Sequence, residues 1–180
     1  SPYDAVQYVK EVCEKGEPVR FYACGGDGTL NEVANGLFGF QNAEIGLIPC
    51  GSGNDFVKYF GDDAPLFQSI EYQYHALPQK MDVMRSDGRI SMNICSIGFD
   101  AKAGYNFTRL KKMPMIGGKA AYNLAVGLTL MGKMANTMRF TIDGDRVIEK
   151  EALICVIANG ICYGGSYHAA PYAKIDDGLI

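Results

Sequence analysis

Residues 24–32, Cys-Gly-Gly-Asp-Gly-Thr-Leu-Asn-Glu, limit what this chain can fold into more than any other stretch. An apolar run, Val19 to Cys24, leads into the glycines, and Leu30, Val33, Ala34 and Leu37 then follow at i, i+3, i+4 and i+7. The motif therefore lies between a strand and a helix. Thr29 and Glu32 have the spacing of a capping box at the helix start, and Gly39 suits its far end. Gly25, Gly26 and Gly28 let the backbone approach an anion, which the positive end of the helix dipole attracts. The pattern reads as a phosphate cradle carrying one acid, Asp27.

It is not a P-loop, because Gly118-Lys119 lacks both the upstream glycine and the following hydroxyl. Nor is it the dinucleotide fingerprint, since Asn31 stands where the last glycine belongs. An acid between the glycines would repel a bare phosphate but suits one that carries magnesium, whose charge inverts the local logic.

A second strand, Ile45 to Pro49, runs into Cys50-Gly51-Ser52-Gly53-Asn54-Asp55, with a short helix expected from Phe56 to Phe60 and a stop at Gly61. Ser52 is a candidate to hydrogen-bond a phosphate, whereas Asn54 or Asp55 reads equally well as a helix cap. Ser1 is expected to cap a first helix with Ala5, Tyr8, Val9, Val12 and Cys13 on one face. Helix and strand thus alternate over the first eighty residues, and both glycine loops open at the carboxyl edge expected of a parallel sheet. Residues 62–75 read as a loop and a short helix.

Beyond Met81 the period becomes that of strands. One hairpin is expected from Met81–Arg85 and Ile90–Ile97 about Asp87-Gly88, and another from Thr137–Ile142 and Val147–Ala158 about Asp143-Gly144. Between them lies a helical segment divided by Pro114 and Gly117-Gly118, with its longer piece at Tyr122 to Met134. Two domains follow, 1–80 α/β and 81–180 mostly antiparallel β.

Net charge is −3, yet the stretch between Asp100 and Asp143 holds seven basic residues and no acid, leaving −10 for the remainder. Such asymmetry points to a membrane surface or a phosphate ligand, the plain alternative being solvated helix faces. Nucleic acid is a poor fit for a chain that is acidic overall and has no basic-aromatic motif. The six cysteines form no C-x-x-C pair and read as buried thiols of a reducing compartment; His75 and His168 suggest no zinc site. The uncharged residues 120–132 are too few for a bilayer, which needs about 20.

A third run, Ala170-Pro171-Tyr172-Ala173-Lys174-Ile175-Asp176-Asp177-Gly178-Leu179, would by itself be only a turn. Together with Gly-Gly-Asp-Gly-Thr-Leu-Asn-Glu-Val, Pro-x-Gly-Ser-Gly-Asn-Asp-Phe and the Asn93–Asp100 segment, it resembles the diacylglycerol kinase catalytic family of lipid kinases, sphingosine and ceramide kinases included. The resemblance spans nearly the whole chain. It implies a Rossmann-like α/β nucleotide-binding domain of the phosphofructokinase and NAD-kinase kind, followed by part of an antiparallel β-sandwich. It implies ATP at Gly25, Gly26, Asp27, Gly28, Thr29, Leu30, Asn31 and Ser52, and magnesium held by Asp177 with the carbonyls of Lys174 and Leu179. Hard cations do accept such oxygen ligands.

The family's Asn-Pro-x-x-Gly segment would precede Ser1, and the acid that acts as base in bacterial members would follow Ile180. The expectation is therefore either a fragment or a chain separated from those elements, with no catalytic base of its own, poor binding and no turnover alone. The expected activity is transfer of the ATP γ-phosphate to a lipid hydroxyl, diacylglycerol or a relative. The rivals are an NAD-kinase-like soluble kinase, against which Gly51 to Phe56 argues, and a non-catalytic nucleotide- or membrane-binding module. Asp27 is expected to position a second magnesium, so that Asp27→Asn abolishes turnover with little loss of fold. The basic stretch Lys102–Lys119, with Phe107, Met113, Met115 and Ile116, would dock on the membrane of a cytoplasmic, peripheral enzyme, at about 1 kcal/mol per basic residue, the alternative being that those apolar residues belong to an interdomain core. A homodimer stays open.

Overall fold

The computed structural model describes residues 4–110, 127, 135–165 and 167–180. The expected cap at Ser1, the helix at Tyr122–Met134 except for residue 127, the Pro114 and Gly117-Gly118 break, and Lys111–Lys119 of the basic stretch lie outside the described residues. By contact the chain forms two compact units, residues 1–94 with 158–180, and residues 95–157. The chain rejoins its first unit at 158.

The first unit opens with helix α1 (Asp4–Cys13), strand β1 (Val19–Gly25), helix α2 (Asp27–Leu37) and strand β2 (Ala43–Pro49). β1 and β2 run parallel in register from Val19↔Ala43 to Gly25↔Pro49, with α2 as their crossover. Alternate strand residues face inward. Ala23 and Leu47 are buried with Val9 and Cys13 of α1 and Leu30, Val33 and Ala34 of α2, and Phe21, Ile45 and Leu37 pack against them. A Cβ on Gly36 would lie 2.7 Å from the Val9 Cβ, so the glycine sets how closely α1 and α2 cross.

The capping box does not form. α2 begins at Asp27 with Gly26 as an extended N-cap and no side-chain cap, which puts Thr29 in the first turn. The Thr29 side chain fills the place where a Gly25 Cβ would stand. Gly39 does take the left-handed conformation past the helix end (φ 95°).

After β2 comes a 3-10 run, Phe56–Gln68, interrupted at Gly61 (φ 53°, ψ −120°), and helix α3 (Ile70–His75). α3 closes the outer edge of β2 with one side chain. The Leu47 amide donates to Gln73 Oε1 (3.0 Å), and Gln73 Nε2 donates to the carbonyls of Leu47 and Phe67 (2.6 Å each). An edge strand otherwise left with unpaired groups is thereby satisfied. Arg20, ion-paired to Glu44 at 2.7 Å, donates to the carbonyls of Gln73 and Tyr74 at the end of α3.

Strands β3 (Met84–Ser86) and β4 (Arg89–Ser91) form the expected hairpin, with Asp87 and Gly88 both at positive φ. The hairpin is shorter than its sequence suggests, because β5 (Ile94–Gly98) leaves it to pair elsewhere. The break comes at Asn93, whose carbonyl accepts the amides of Asn159 and Gly160 (2.9 Å each) and whose Nδ2 donates to the Cys162 carbonyl (3.0 Å).

In the second unit β5 leads into helix α4 (Phe99–Leu110), and β6 (Asn136–Ile142) pairs antiparallel with β7 (Arg146–Ala152) around Asp143-Gly144. The single strand expected from Val147 to Ala158 is two, because the chain breaks at Leu153 and β8 (Ile154–Ala158) pairs with β5. Gly98 (φ 118°) is the reason it can: a Cβ there would strike the Leu153 carbonyl, which accepts the Phe99 amide instead. The returning chain adds the short strands β9 (Cys162–Tyr163) and β10 (Tyr167–His168) to the first unit.

Candidate phosphate-binding site

Both glycine loops leave the carboxyl ends of paired strands, and the Cys50 amide extends the ladder by donating to the Gly25 carbonyl (3.0 Å). The loops then meet backbone to backbone. A Cβ on Gly26 would lie 3.1 Å from the Gly51 Cα, and one on Gly51 would collide with Gly26. These two glycines are therefore required by loop packing. Asn54, at φ 49°, closes the second loop on itself: Gly51 N donates to its Oδ1 and its Nδ2 donates to the Gly51 carbonyl, both at 2.9 Å. It is a turn clamp, not a helix cap.

Asp27 joins the two loops. From the first position of α2 its Oδ1 accepts the Phe56 amide (2.8 Å) and its Oδ2 the Asp55 amide (3.0 Å), so it caps the 3-10 run from a neighbouring helix. The same free amides that a capping residue would satisfy are satisfied from outside. Asp55, 8% exposed, turns the other way. It accepts Lys58 Nζ at 2.6 Å and the Gly165 amide on both oxygens, while Lys58 Nζ also donates to the Gly165 carbonyl (2.7 Å). The Cys162 thiol, fully buried, donates to the Asp55 carbonyl at 3.5 Å. Burial, and then the charge of Asp55, pushes that thiol above its ordinary value of 9.0, with Lys58 acting the other way and Asp27 adding to the rise.

Beside this junction lies a cavity of about 300 Å³. Asp27, Gly28, Leu30 and Asn31 of α2 form one wall, Asp55 and Phe56 another, and Ser91–Ile94 with Tyr163 the rest, all within the first unit. Gly28 differs from its neighbours. Nothing lies within 4 Å of where its Cβ would be, so the fold makes no demand for glycine there. In a first helical turn, where amides have no partner within the helix, that opening lets a ligand reach the backbone.

The other expected contacts are dispersed. Leu30 is 3% exposed and its side chain belongs to the core. Ser52 is exposed at the tip of the second loop and does not line the cavity. Lys174, Asp177 and Leu179 are exposed; Asp177 Oδ1 accepts the Leu179 amide (3.1 Å), and Asp82 holds the same turn through the Gly178 amide (2.6 Å). Among the described residues no group of three or more acids, histidines or cysteines gathers for a metal. The sequence offered no signal for Lys58 or Tyr163, and Asp55 was readable only as a cap.

Residues 1–86 match the family model described as the diacylglycerol kinase catalytic domain, and residues 93–180 that of the YegS C-terminal NAD kinase beta sandwich-like domain. Relatives include a "Probable lipid kinase YegS-like" of Chromohalobacter salexigens (32% identity, covering 98% of this chain and 57% of the relative). A protein of the same description from Pseudomonas aeruginosa PAO1 is 35% identical over the same shares. A diacylglycerol kinase of Staphylococcus epidermidis is 30% identical, covering 87% of this chain and 49% of the relative. Among solved structures, a diacylglycerol kinase from Bacillus anthracis superposes with a TM-score of 0.67 at 27% identity, covering 99% of this chain and 58% of that one. This chain thus spans about half the length of such relatives.

Proposed function

The chain belongs to the diacylglycerol kinase catalytic family, and from that membership we propose that it forms the nucleotide-binding part of an enzyme that transfers the γ-phosphate of ATP to a lipid hydroxyl, of diacylglycerol or a related lipid. The observation that carries the reading is Gly28. A glycine in a helix costs about 1 kcal/mol against alanine, and no neighbour requires it, so a ligand close to the backbone is its remaining use. The β1–α2–β2 unit would act as a Rossmann-like half, with its ligand at the carboxyl edge of the strands.

Phosphoryl transfer needs placement and charge neutralisation more than covalent help. The first-turn amides of α2 would hold phosphate oxygens, and Asn31 would offer its carboxamide from the cavity wall. Asp27 would work chiefly by strapping the two loops in register. Magnesium, when bound, supplies positive charge against the phosphates. The donor set at Asp177 with the carbonyls of Lys174 and Leu179 is chemically suited to it, being oxygen throughout. At Asp27 each oxygen already accepts one amide, which leaves lone pairs for a metal-bound water without breaking the strap. The acceptor's proton would pass to a general base.

Among the described residues no helix is long and apolar enough to cross a membrane. A lipid substrate then calls for peripheral contact, for which the basic segment that begins at Lys102 in α4 is the proposed surface.

The test is the full-length protein with labelled ATP and magnesium, offered diacylglycerol, sphingosine and NAD. Label on a lipid is expected; label on NAD alone would overturn the reading in favour of a soluble kinase, and no label would favour a binding module. Gly28→Ala should leave the urea midpoint unchanged or raised while weakening ATP binding, and unaltered ATP affinity would remove the cradle from the argument.

A further inference from the structure

Cys24 and Cys50 are free and exposed, although thiols of this kind usually sit inside. Cys24 is the penultimate residue of β1 and Cys50 the first residue after β2, each immediately before a glycine. Cys24 is paired with Ile48, and Cys50 stands two residues beyond Ile48, its amide continuing the ladder to Gly25. Paired residues share a face and alternate residues return to it, so both thiols project from one side of the sheet. It is the side opposite the core, since the intervening Ala23 and Leu47 are buried.

Their spacing selects among the things two thiols can do. Strands about 4.8 Å apart and a rise of about 3.3 Å per residue put the two Cα atoms roughly 8 Å apart along the diagonal. A disulfide requires less than about 7 Å, so the pair cannot close one without moving the backbone. Two side chains leaning toward each other from that distance bring their sulfurs to about 4.5 Å, twice a metal–sulfur bond of about 2.3 Å. Zinc would need two more ligands, and among the described residues no third acid, histidine or cysteine joins them. Two thiolates alone suit a soft ion content with linear coordination.

We propose that Cys24 and Cys50 form a two-thiolate site for a soft, two-coordinate cation of the Cu(I) class. Binding exchanges two thiol protons for one ion and leaves both sulfur and metal in their oxidation states. The ion would tie the strand ends that carry Gly25-Gly26 and Gly51. On the proposed function, which this consequence alone depends on, occupancy would alter ATP affinity.

The experiment titrates the full-length protein, without nucleotide, with Cu(I) buffered by bicinchoninate under reductant. One equivalent is expected to transfer to the protein, with two sulfur ligands in the copper-edge absorption spectrum. Cys24→Ser and Cys50→Ser should each abolish transfer, and Cys95→Ser and Cys155→Ser should retain it, all four with unchanged circular dichroism. No transfer, three or more sulfurs at copper, or equal loss in the Cys95 and Cys155 variants would each overturn the site. Because nucleotide is absent, such a failure is separate from failure of the kinase assay.

Discussion

Asp27 illustrates how far a single residue's role can depend on partners distant in sequence. Between glycines it reads as a magnesium ligand, and Asp27→Asn then ought to leave the fold intact. In the structure its two oxygens accept two amides 28 and 29 residues away. An asparagine can satisfy one of them, but must turn an N–H2 group toward the other. Hydrogen bonds to a charged group contribute about 1.5–3 kcal/mol, so Asp27→Asn should destabilise the protein by roughly that amount. A urea midpoint unchanged from the parent would show that the strap carries no weight. Cys162 yields a pH dependence. Burial raises its thiol above 9.0 in the folded chain, whereas an unfolded thiol ionises at its ordinary value. The folded state then binds the proton more tightly. Its contribution to stability is complete below the unfolded value and is lost as pH rises through the folded one. Urea midpoints should fall on the alkaline side, and less steeply in Cys162→Ser; identical slopes would assign the decline to other groups.

At the scale of elements, carboxamides do the work that strand pairing leaves undone. Gln73 brackets Leu47, Asn54 brackets Gly51, and Asn35 of α2 brackets Ile90 of β4, accepting its amide and donating to its carbonyl at 2.9 Å. Gln73 and Asn35 each imitate a missing neighbour strand with one side chain, whereas Asn54 closes the loop after β2 on itself. Gln73→Leu removes both partners of Leu47 where the backbone is buried, and a buried group left unsatisfied costs about 1–3 kcal/mol. The expected loss in chemical denaturation is therefore larger than for the exposed Tyr74→Leu, and equal losses would mean the edge finds water instead. Such brackets explain what the sequence left unread. Leu30, Val33 and Ala34 declare the buried face of α2 by spacing alone, and Asp87-Gly88 and Asp143-Gly144 declare their turns, because these signals are local. A glutamine in a tyrosine-rich helix carries no mark of the strand it will cover. The Thr29 and Glu32 spacing even misleads, since Asp27 and Gly26 start the helix earlier. Nor could the exposure of Cys24 and Cys50 be foreseen from their apolar neighbours, which favour burial.

For the molecule as a whole, the consequential contacts are those the chain makes on returning at residue 158. Asn159 is fully buried and donates to the carbonyls of Asp82 and Met92, Cys162 meets Asn93 and Asp55, and the Gly165 amide is held by Asp55. The cavity wall at Tyr163 thus belongs with α2, although more than 120 residues separate them. Change of period near residue 80 marks where strands begin to dominate, but strand period says nothing about which earlier segment a late one will join. If contact defines the cooperative unit, stability should follow contact and not sequence neighbourhood. Native-state hydrogen exchange on the full-length protein can tell the two apart. The amides of Asn159 and Gly160, bonded to Asn93, should open with the same free energy and denaturant dependence as those of β1 and β2. They should open independently of β6 and β7, which lie closer in sequence but in the other unit. Exchange of Asn159 and Gly160 in step with the β6–β7 hairpin would instead make residues 135–180 the folding unit. The cavity wall at Tyr163 would then form only as an accessory to a core already folded.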